Sequence, residues 1–115
     1  QAVFYPQSYN SYFFHPTHPH ELVIVSNAKN NVSILNCRNG EIIRTIAKSN
    51  DYIFCNIDPM TGNYLFRESS HAVIMDERGE ELFRVRCNGS TLYLANNILT
   101  CWEGFALNVE PYLKK

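Results

Sequence analysis

The chain contains an internal repeat, and this repeat constrains its fold more than any other feature of the sequence. Short apolar segments and polar turns recur in the same order over residues 14–46 and 57–86, and residues 91–109 begin a third, incomplete copy. The prolines that open the two full copies, Pro16 and Pro59, are 43 positions apart (59 − 16). A period of this length is typical of architectures in which each repeat is one supersecondary unit that packs on the next.

The segments between the turns are rich in Val, Ile, Leu, Phe and Tyr, which is typical of β-strands. No long window has the apolar spacing of three and four residues that an amphipathic helix requires. The sequence predicts twelve strands: Ala2–Tyr5, Ser11–Phe14, Leu22–Ser26, Val32–Cys37, Ile42–Ile46, Ile53–Ile57, Tyr64–Glu68, Ala72–Asp76, Glu81–Arg86, Thr91–Ala95, Ile98–Trp102 and Phe105–Val109.

Asn and Gly mark the turns between these strands, and both residues tolerate the positive φ of tight hairpins. The predicted turns are Asn30–Asn31, Asn39–Gly40, Arg78–Gly79 and Asn96–Asn97. Consecutive strands should therefore pair in an antiparallel manner. Adjacent apolar residues, such as Val73–Ile74, predict strands that contact apolar layers on both faces, as in a sheet stacked between two others.

The order of these elements resembles the WD-repeat family of β-propellers over Phe14 to Arg84: a Pro-containing loop, two strands joined by a polar turn, and a Gly turn into an outer strand. Leu35–Asn36 and Met75–Asp76 stand where the family places Trp-Asp, and no Gly-His pair opens either copy. The resemblance implies antiparallel four-stranded blades whose faces and rim dock other proteins. The predicted fold class is all-β, of this blade type, with a small closed barrel or sandwich as the alternative.

We expect residues 1–115 to form a single all-β unit. Propellers contain about four to eight blades, and this chain holds fewer than three. We therefore expect a fragment of a larger propeller, or a chain that completes a ring with other chains as an oligomer, because blades without neighbours expose apolar faces. The predicted function is a non-enzymatic protein–protein interaction module within a propeller-type scaffold.

Charge and hydropathy exclude two classes of partner. Ten basic and eleven acidic side chains give a net charge of −1 and no basic patch for a nucleic-acid backbone. The longest apolar runs are a few residues, whereas a membrane-spanning helix needs about 20. We predict neither nucleic-acid binding nor membrane insertion.

The cysteines and the glycosylation sequons leave two cellular locations open. Cys37, Cys55, Cys87 and Cys101 include no Cys-x-x-Cys pair, which favours buried thiols in an intracellular protein. The sequons at Asn31 and Asn88 favour the alternative, a secreted or cell-surface β module that binds a ligand or receptor and contains disulfides.

Three groups of residues were weighed as candidate sites. His15, His18 and His20 could bind a metal in an enzyme, but Pro16 and Pro19 predict an extended, solvent-facing loop in which the imidazoles need not converge. The carboxylates of Asp58, Asp76, Glu77, Glu80 and Glu81 resemble turn residues. We expect no enzyme activity, no metal and no cofactor. The third group is the predicted partner-binding set of aromatic residues: Phe4, Tyr5, Tyr9, Tyr12, Phe13, Trp102, Phe105 and Tyr112.

Overall fold

The computed structural model describes residues 9–26, 29–88, 91–101 and 104–114. Eleven strands lie within these ranges, and each coincides with a predicted strand to within two residues at either end. They are β1 (Tyr9–Phe14), β2 (Glu21–Ser26), β3 (Asn31–Asn36), β4 (Ile42–Ala47), β5 (Tyr52–Ile57), β6 (Tyr64–Glu68), β7 (His71–Met75), β8 (Glu81–Arg86), β9 (Leu92–Ala95), β10 (Ile98–Cys101) and β11 (Phe105–Asn108). The predicted strand Ala2–Tyr5 lies outside the described residues.

The strands form three separate antiparallel sheets. The first sheet has the order β1-β2-β3-β4, the second β5-β6-β7-β8 and the third β11-β10-β9. Sequential strands pair in each sheet, as the turn chemistry predicts. The predicted fold class, all-β with antiparallel four-stranded meanders of blade type, is confirmed, and the described residues do not form the alternative closed barrel or sandwich.

Positive φ occurs at most of the predicted turns. Asn96 and Asn97 have φ of 51° and 63°, and Gly79 has φ of 86°. A Cβ on Gly79 would also lie 3.4 Å from Ile46 of the first sheet, so this position combines a left-handed backbone with a close inter-sheet approach. The predicted Asn30–Asn31 turn is wrong by one residue: the left-handed residue is Lys29 (φ 62°).

The second sheet is apolar on both faces. Tyr64 and Phe66 point toward the first sheet, whereas Leu65 between them points toward the third sheet, and all three are fully buried. On β7, Val73 points toward the first sheet and Ile74 points toward the third. The adjacent apolar residues in the sequence therefore predict two buried faces correctly.

Each sheet pair encloses one core cluster. The cluster between the first and second sheets includes Val23, Val25, Val32, Ile34, Ile46, Phe54, Ile57, Tyr64, Phe66, Val73 and Met75. The cluster between the second and third sheets includes Leu65, Ala72, Ile74, Cys87, Leu92, Leu94, Leu99, Cys101 and Val109. Burying one large aliphatic or aromatic side chain contributes about 1.5–3 kcal/mol, so these two clusters are what hold the sheets together.

The third sheet has one buried and one solvated face. Leu94 and Leu99 pair across β9 and β10 and are fully buried. Their neighbours Tyr93 and Thr100 pair on the opposite face and are exposed, as is Ala106 on β11. This alternation is typical of an antiparallel sheet with water on one side.

Residues 110–114, which follow β11, pack against the second sheet. A short 3-10 helix spans Glu110–Tyr112, and the Tyr112 ring stacks on Phe83 with a centroid distance of 5.7 Å. The Lys114 N–H donates to the Leu82 carbonyl oxygen at 3.1 Å. The segment is held by contacts with β8, which local sequence patterns do not reveal. No helix among the described residues has the length and apolar character needed to cross a membrane.

We expect Phe66→Ala to lower the free energy of unfolding by about 3–5 kcal/mol, because the ring is fully buried between two sheets and its loss leaves a cavity. Phe14→Ala is the matched control, since Phe14 is 70% exposed and its truncation should change stability by less than about 0.5 kcal/mol. Urea unfolding followed by circular dichroism measures both. Equal effects of the two substitutions would contradict this assignment of the core.

Candidate functional site

The strand registers make the first and second sheets equivalent row by row. Phe14 pairs with Leu22 and Leu22 pairs with Leu35 in the first sheet. Ile57 pairs with Tyr64 and Tyr64 pairs with Met75 in the second. The row Ile57–Tyr64–Met75 is buried against the first sheet. The corresponding row of the first sheet faces away from the second sheet.

A second row repeats this relationship. Tyr12, Ile24 and Ser33 pair across the first sheet as Phe54, Phe66 and Val73 pair across the second. Together with Ile43 on β4, the two rows of the first sheet form what we call the outer face: Tyr12, Phe14, Leu22, Ile24, Ser33, Leu35 and Ile43.

The outer face has a buried centre and an exposed rim. Ile24, Ser33 and Leu35 are buried. Around them, Phe14 is 70% exposed, and Tyr12 and Ile43 are each 46% exposed. Three large hydrophobic side chains on one sheet face therefore contact water, at or beside positions that the second sheet buries.

The predicted partner-binding aromatic residues occupy different environments. Tyr12 lies on the outer face, whereas Phe13 stacks on Phe54 at 6.2 Å on the opposite side of β1. Phe105 packs against the second core cluster, and Tyr112 is 59% exposed while it stacks on Phe83. Phe4, Tyr5, Trp102 and the side chain of Tyr9 lie outside what the structure describes. These assignments to partner binding stay predictions.

Phe14 is a candidate that sequence analysis missed. It lies in the aromatic-rich N-terminal part of the sequence and opens a repeat copy before His15–Pro16, but the predicted partner-binding set does not include it. The signal that identifies it is the correspondence with Ile57, which also precedes a polar residue and a proline. The equivalent residue is buried in one sheet and exposed in the other, and this contrast becomes visible only when the sheets are stacked.

The loops that follow β1 and β5 use equivalent residues to fix the next sheet. His15 Nδ1 accepts a hydrogen bond from the Thr17 N–H at 3.1 Å, and Asp58 Oδ1 accepts one from the Met60 N–H at 2.8 Å. Both residues are buried, at 3% and 0% exposure. Each loop therefore starts with a buried acceptor that bonds the backbone two residues later and lies at a junction between sheets.

Asp58 joins the second sheet to the third. Its two oxygens accept hydrogen bonds from the N–H groups of Asn96 (2.8 Å) and Asn97 (2.9 Å) in the β9–β10 turn. Desolvation raises the pKa of Asp58, but the backbone donors, Asn97 first, outweigh it and leave the pKa below the ordinary aspartate range. The prediction that Asp58 is a turn residue is confirmed, and its partners also lie in another sheet.

His15 and His18 converge and His15 is buried, whereas the sequence predicts a solvent-facing loop in which the imidazoles need not converge. Their ring centroids are 4.4 Å apart, and one potential ligand atom from each of His15, His18 and Glu21 lies within 4.8 Å of the others. His20, in contrast, bonds to the Arg38 guanidinium at 2.9 Å. Burial lowers the pKa of His15 to about 4, with the positive charge of His18 a smaller cause.

Charged side chains connect the first and second sheets beside these histidines. Arg44 Nη2 lies 3.0 Å from Glu21 Oε1 and 3.5 Å from Glu77 Oε2. Glu77 Oε2 is also 3.6 Å from His18 Nε2. Lys48 donates to the Gly79 carbonyl oxygen at 3.1 Å. These contacts tie the loop after β1 to the β7–β8 turn.

An open cavity of about 340 Å³ lies over this junction. Thr17 and His18 line it from the first sheet, and Met60, Asn63 and Glu77 line it from the second. The cavity is open rather than enclosed, so the His18 side of the junction is accessible from solvent.

The remaining carboxylates have structural roles. Asp76 Oδ1 accepts hydrogen bonds from the Arg78 and Glu80 N–H groups at 2.9 and 3.0 Å, which closes the β7–β8 turn. Glu81 bonds to Arg84, and this hydrogen bond keeps the pKa of Glu81 below its ordinary value. Each carboxylate is thus engaged by donors that suit a turn or an ion pair.

The cysteines divide between surface and core. Cys37 is exposed and Cys55 is half-buried, and both are free thiols. Cys87 and Cys101 are buried in the second core cluster. Because Cys37 and Cys55 are free, the structure does not contain the two disulfides that the secreted alternative expects among all four cysteines.

The two glycosylation sequons differ in accessibility. Asn31 is the first residue of β3, and Ser33 of the same sequon is 2% exposed and bonds to Thr45 at 3.1 Å. Asn88 is exposed and follows β8. In the folded chain, Asn88 is therefore the more accessible of the two acceptors.

Comparison with known proteins supports the fold class. The structure is similar to the crystal structure of BamB from Moraxella catarrhalis, with a TM-score of 0.53 and 17% sequence identity. The match covers 74% of this chain and 26% of BamB, so the chain spans about a quarter of that protein's length. The sheets are blades of the β-propeller type.

At this level of identity the likeness to BamB shows the fold alone. No family model and no curated protein matches the chain. The resemblance to WD repeats stays a prediction, because only the propeller-type architecture has independent support.

We expect Asp58→Asn to lower the free energy of unfolding by about 1–3 kcal/mol at neutral pH. The amide has a single oxygen acceptor, so one N–H of the Asn96–Asn97 turn loses its partner and faces the amide NH2 group. The folded-state pKa of Asp58 is depressed, so its stabilisation is present above the unfolded pKa of about 3.9 and is lost as the pH falls through the folded-state value. The stability difference between wild type and variant should narrow in acid.

Urea unfolding at neutral pH and about one unit below pH 3.9 measures this difference. Asp51→Asn is the matched control, since Asp51 is exposed in the β4–β5 loop, and it should have little effect at either pH. A stability difference for Asp58→Asn that stays constant as the pH is lowered would show that the carboxylate charge is not responsible.

Proposed function

We propose that the chain is a non-enzymatic protein–protein interaction module, part of a propeller-type scaffold, that docks a partner sheet on the outer face. The observation that carries this proposal is the row Phe14–Leu22–Leu35, whose equivalent row Ile57–Tyr64–Met75 is buried against a neighbouring sheet. Because the equivalent positions of the two sheets are apolar, we expect the first sheet to bury its row against a neighbouring sheet, as the second sheet does. The outer face is thus suited to the same kind of neighbour.

The geometry of the first sheet pair defines what the partner should present. The second sheet docks on the aliphatic row Val23–Ile34 of the first sheet. A partner sheet with β-branched side chains in such a row would fit the outer face. It would cover Phe14, whose burial contributes about 1.5–3 kcal/mol.

Several features support a role in binding rather than catalysis. The carboxylates of Asp58 and Asp76 are engaged by backbone donors, and the Cys55 thiol has its pKa raised to about 11 by burial, which keeps it protonated. The outer face offers aromatic and aliphatic contacts, and its serine, Ser33, is buried and hydrogen-bonded to Thr45. WD-repeat scaffolds, which the order of elements resembles, use blade surfaces in this way.

We further propose an intracellular location, with a secreted or cell-surface ligand-binding module as the alternative. The free thiols of Cys37 and Cys55 support the first, and the exposed sequon at Asn88 favours the second. The two locations make different predictions for the chemical state of these cysteines.

We expect the isolated chain to self-associate through the outer face, because the exposed rim lacks a partner sheet. Phe14→Asp should shift the protein toward monomer without loss of stability, since Phe14 is 70% exposed. Light scattering coupled to size exclusion, over a range of concentrations, measures the mass. Met60→Ser is the control: Met60 is 68% exposed in the β5–β6 loop, away from the outer face, and its replacement should leave association unchanged.

A wild-type chain that is monomeric at every concentration would contradict the proposal. If Met60→Ser weakened association as much as Phe14→Asp, the proposal would also be contradicted, because nonspecific hydrophobic association would then explain both results.

We expect alkylation of the native, non-reduced protein at mildly alkaline pH to label Cys37 faster than Cys55, because Cys37 is exposed and the pKa of Cys55 is raised to about 11. After denaturation, both should be labelled. Mass spectrometry of tryptic peptides identifies the sites. A disulfide at Cys37 or Cys55 in protein isolated from its source would support the secreted alternative instead.

A further inference from the structure

The loop between β1 and β2 is preorganised by backbone hydrogen bonds. The His15 N–H donates to the Glu21 carbonyl oxygen at 2.9 Å, and the Glu21 N–H donates to the His18 carbonyl oxygen at 3.0 Å. Pro16 and Pro19 fix two further φ angles. His15, His18 and Glu21, which are spaced three residues apart, are thereby held on the same side of the loop.

The side chains of these three residues form a group of metal-ligand type. One nitrogen from each imidazole and one oxygen from Glu21 lie within 4.8 Å of one another. A tetrahedral zinc site has metal–ligand distances of about 2.0–2.2 Å, so rotations of the partly exposed His18 and Glu21 side chains are sufficient to close the set. The expectation of no metal depended on a loop in which the imidazoles need not converge, but in the structure the rings of His15 and His18 lie together.

His15 provides an independent indication of a missing ligand. It is 3% exposed, and its Nε2 is buried without a hydrogen-bond partner. A buried polar group without a hydrogen-bond partner is unfavourable, and a bound ligand would remove this cost. Its other nitrogen, Nδ1, lies 3.1 Å from the Thr17 backbone nitrogen and 3.2 Å from Thr17 Oγ1. When Nε2 binds a metal, Nδ1 carries the proton, so it donates a hydrogen bond to Thr17 Oγ1 and no longer accepts one from the Thr17 N–H. Such an outer hydrogen bond fixes the orientation of a ligating imidazole.

The charges around the group favour a cation. Glu21 and Glu77 contribute two carboxylates, and Arg44, which contacts both, contributes one positive charge. Glu77 Oε2 lies 3.6 Å from His18 Nε2 and can orient that imidazole or supply a further oxygen. The open cavity beside His18 leaves space for a water molecule at the remaining coordination position.

We infer that His15, His18 and Glu21 bind one Zn²⁺ ion, which fastens the loop after β1 at the junction of the first two sheets. Two imidazoles and one carboxylate form a donor set that zinc prefers, whereas Ca²⁺ and Mg²⁺ prefer oxygen ligands alone. The site is separate from the outer face and does not depend on the proposed docking function.

Equilibrium dialysis of the full chain against Zn²⁺, followed by elemental analysis, tests the inference. The protein is alkylated beforehand so that cysteine thiolates do not bind the metal. We expect one Zn²⁺ per chain. Co²⁺ in place of Zn²⁺ should give the visible absorption of a site with nitrogen and oxygen ligands, and thermal unfolding should occur at a higher temperature with the metal than with a chelator.

The variants identify the ligands. His18→Ala should weaken Zn²⁺ binding by at least about 100-fold, since removal of a direct ligand costs no less than loss of an outer-shell partner. His18 is partly exposed, so circular dichroism should show an unchanged fold. His20→Ala is the matched control from the same loop, because His20 bonds to Arg38 and lies outside the group, and it should retain one Zn²⁺.

Three results would overturn the inference. They are a wild-type chain that retains no Zn²⁺, a His18→Ala variant that still binds one Zn²⁺ with unchanged affinity, and a His20→Ala variant that loses the ion.

Discussion

The second sheet has apolar side chains on both faces, and the whole structure depends on satisfying both of them. Tyr64 and Phe66 require one neighbouring sheet, and Leu65 and Ile74 require another. An isolated meander of this kind would expose two hydrophobic layers to water, which is unfavourable by about 25 cal/mol for each Å² of apolar surface. The first and third sheets are therefore necessary to the fold of the second, and stability is shared between neighbouring sheets rather than contained in each.

The polar contacts at the junctions give this stacking its specificity. Hydrophobic burial is nondirectional, so it does not by itself fix how one sheet is rotated on the next. Asp58 fixes the orientation of the third sheet on the second, because it accepts hydrogen bonds from the Asn96 and Asn97 N–H groups. The first and second sheets are oriented by two contacts: Arg44 pairs with Glu77, and Lys48 donates to the Gly79 carbonyl oxygen. The two junctions thus use different chemistry at corresponding places.

Local structure could be predicted from the sequence because strands and tight turns depend on nearby residues. The segments rich in Val, Ile, Leu, Phe and Tyr, together with the Asn and Gly positions, located the eleven described strands and the Asn96–Asn97 turn. Contacts between distant residues could not be predicted in the same way. Asn30 was interpreted as a turn residue, but its amide bonds to Lys48 and Asn50 in the next loop. The contact of Tyr112 with Phe83 likewise depends on chain segments that only folding brings together. His15 and His18 converge within one loop through its backbone hydrogen bonds, which the two prolines of that loop did not indicate.

The two free faces of the stack differ in chemistry. Among the described residues, the first sheet presents Tyr12, Phe14 and Ile43, whereas the third presents Tyr93, Ile98, Thr100 and Ala106. If the outer face is the docking surface, as proposed, the stack has two unlike ends, and a second copy bound there covers the end with Phe14. Self-association through that face alone would give a closed pair rather than an unlimited filament, because one isologous contact uses the face on both copies.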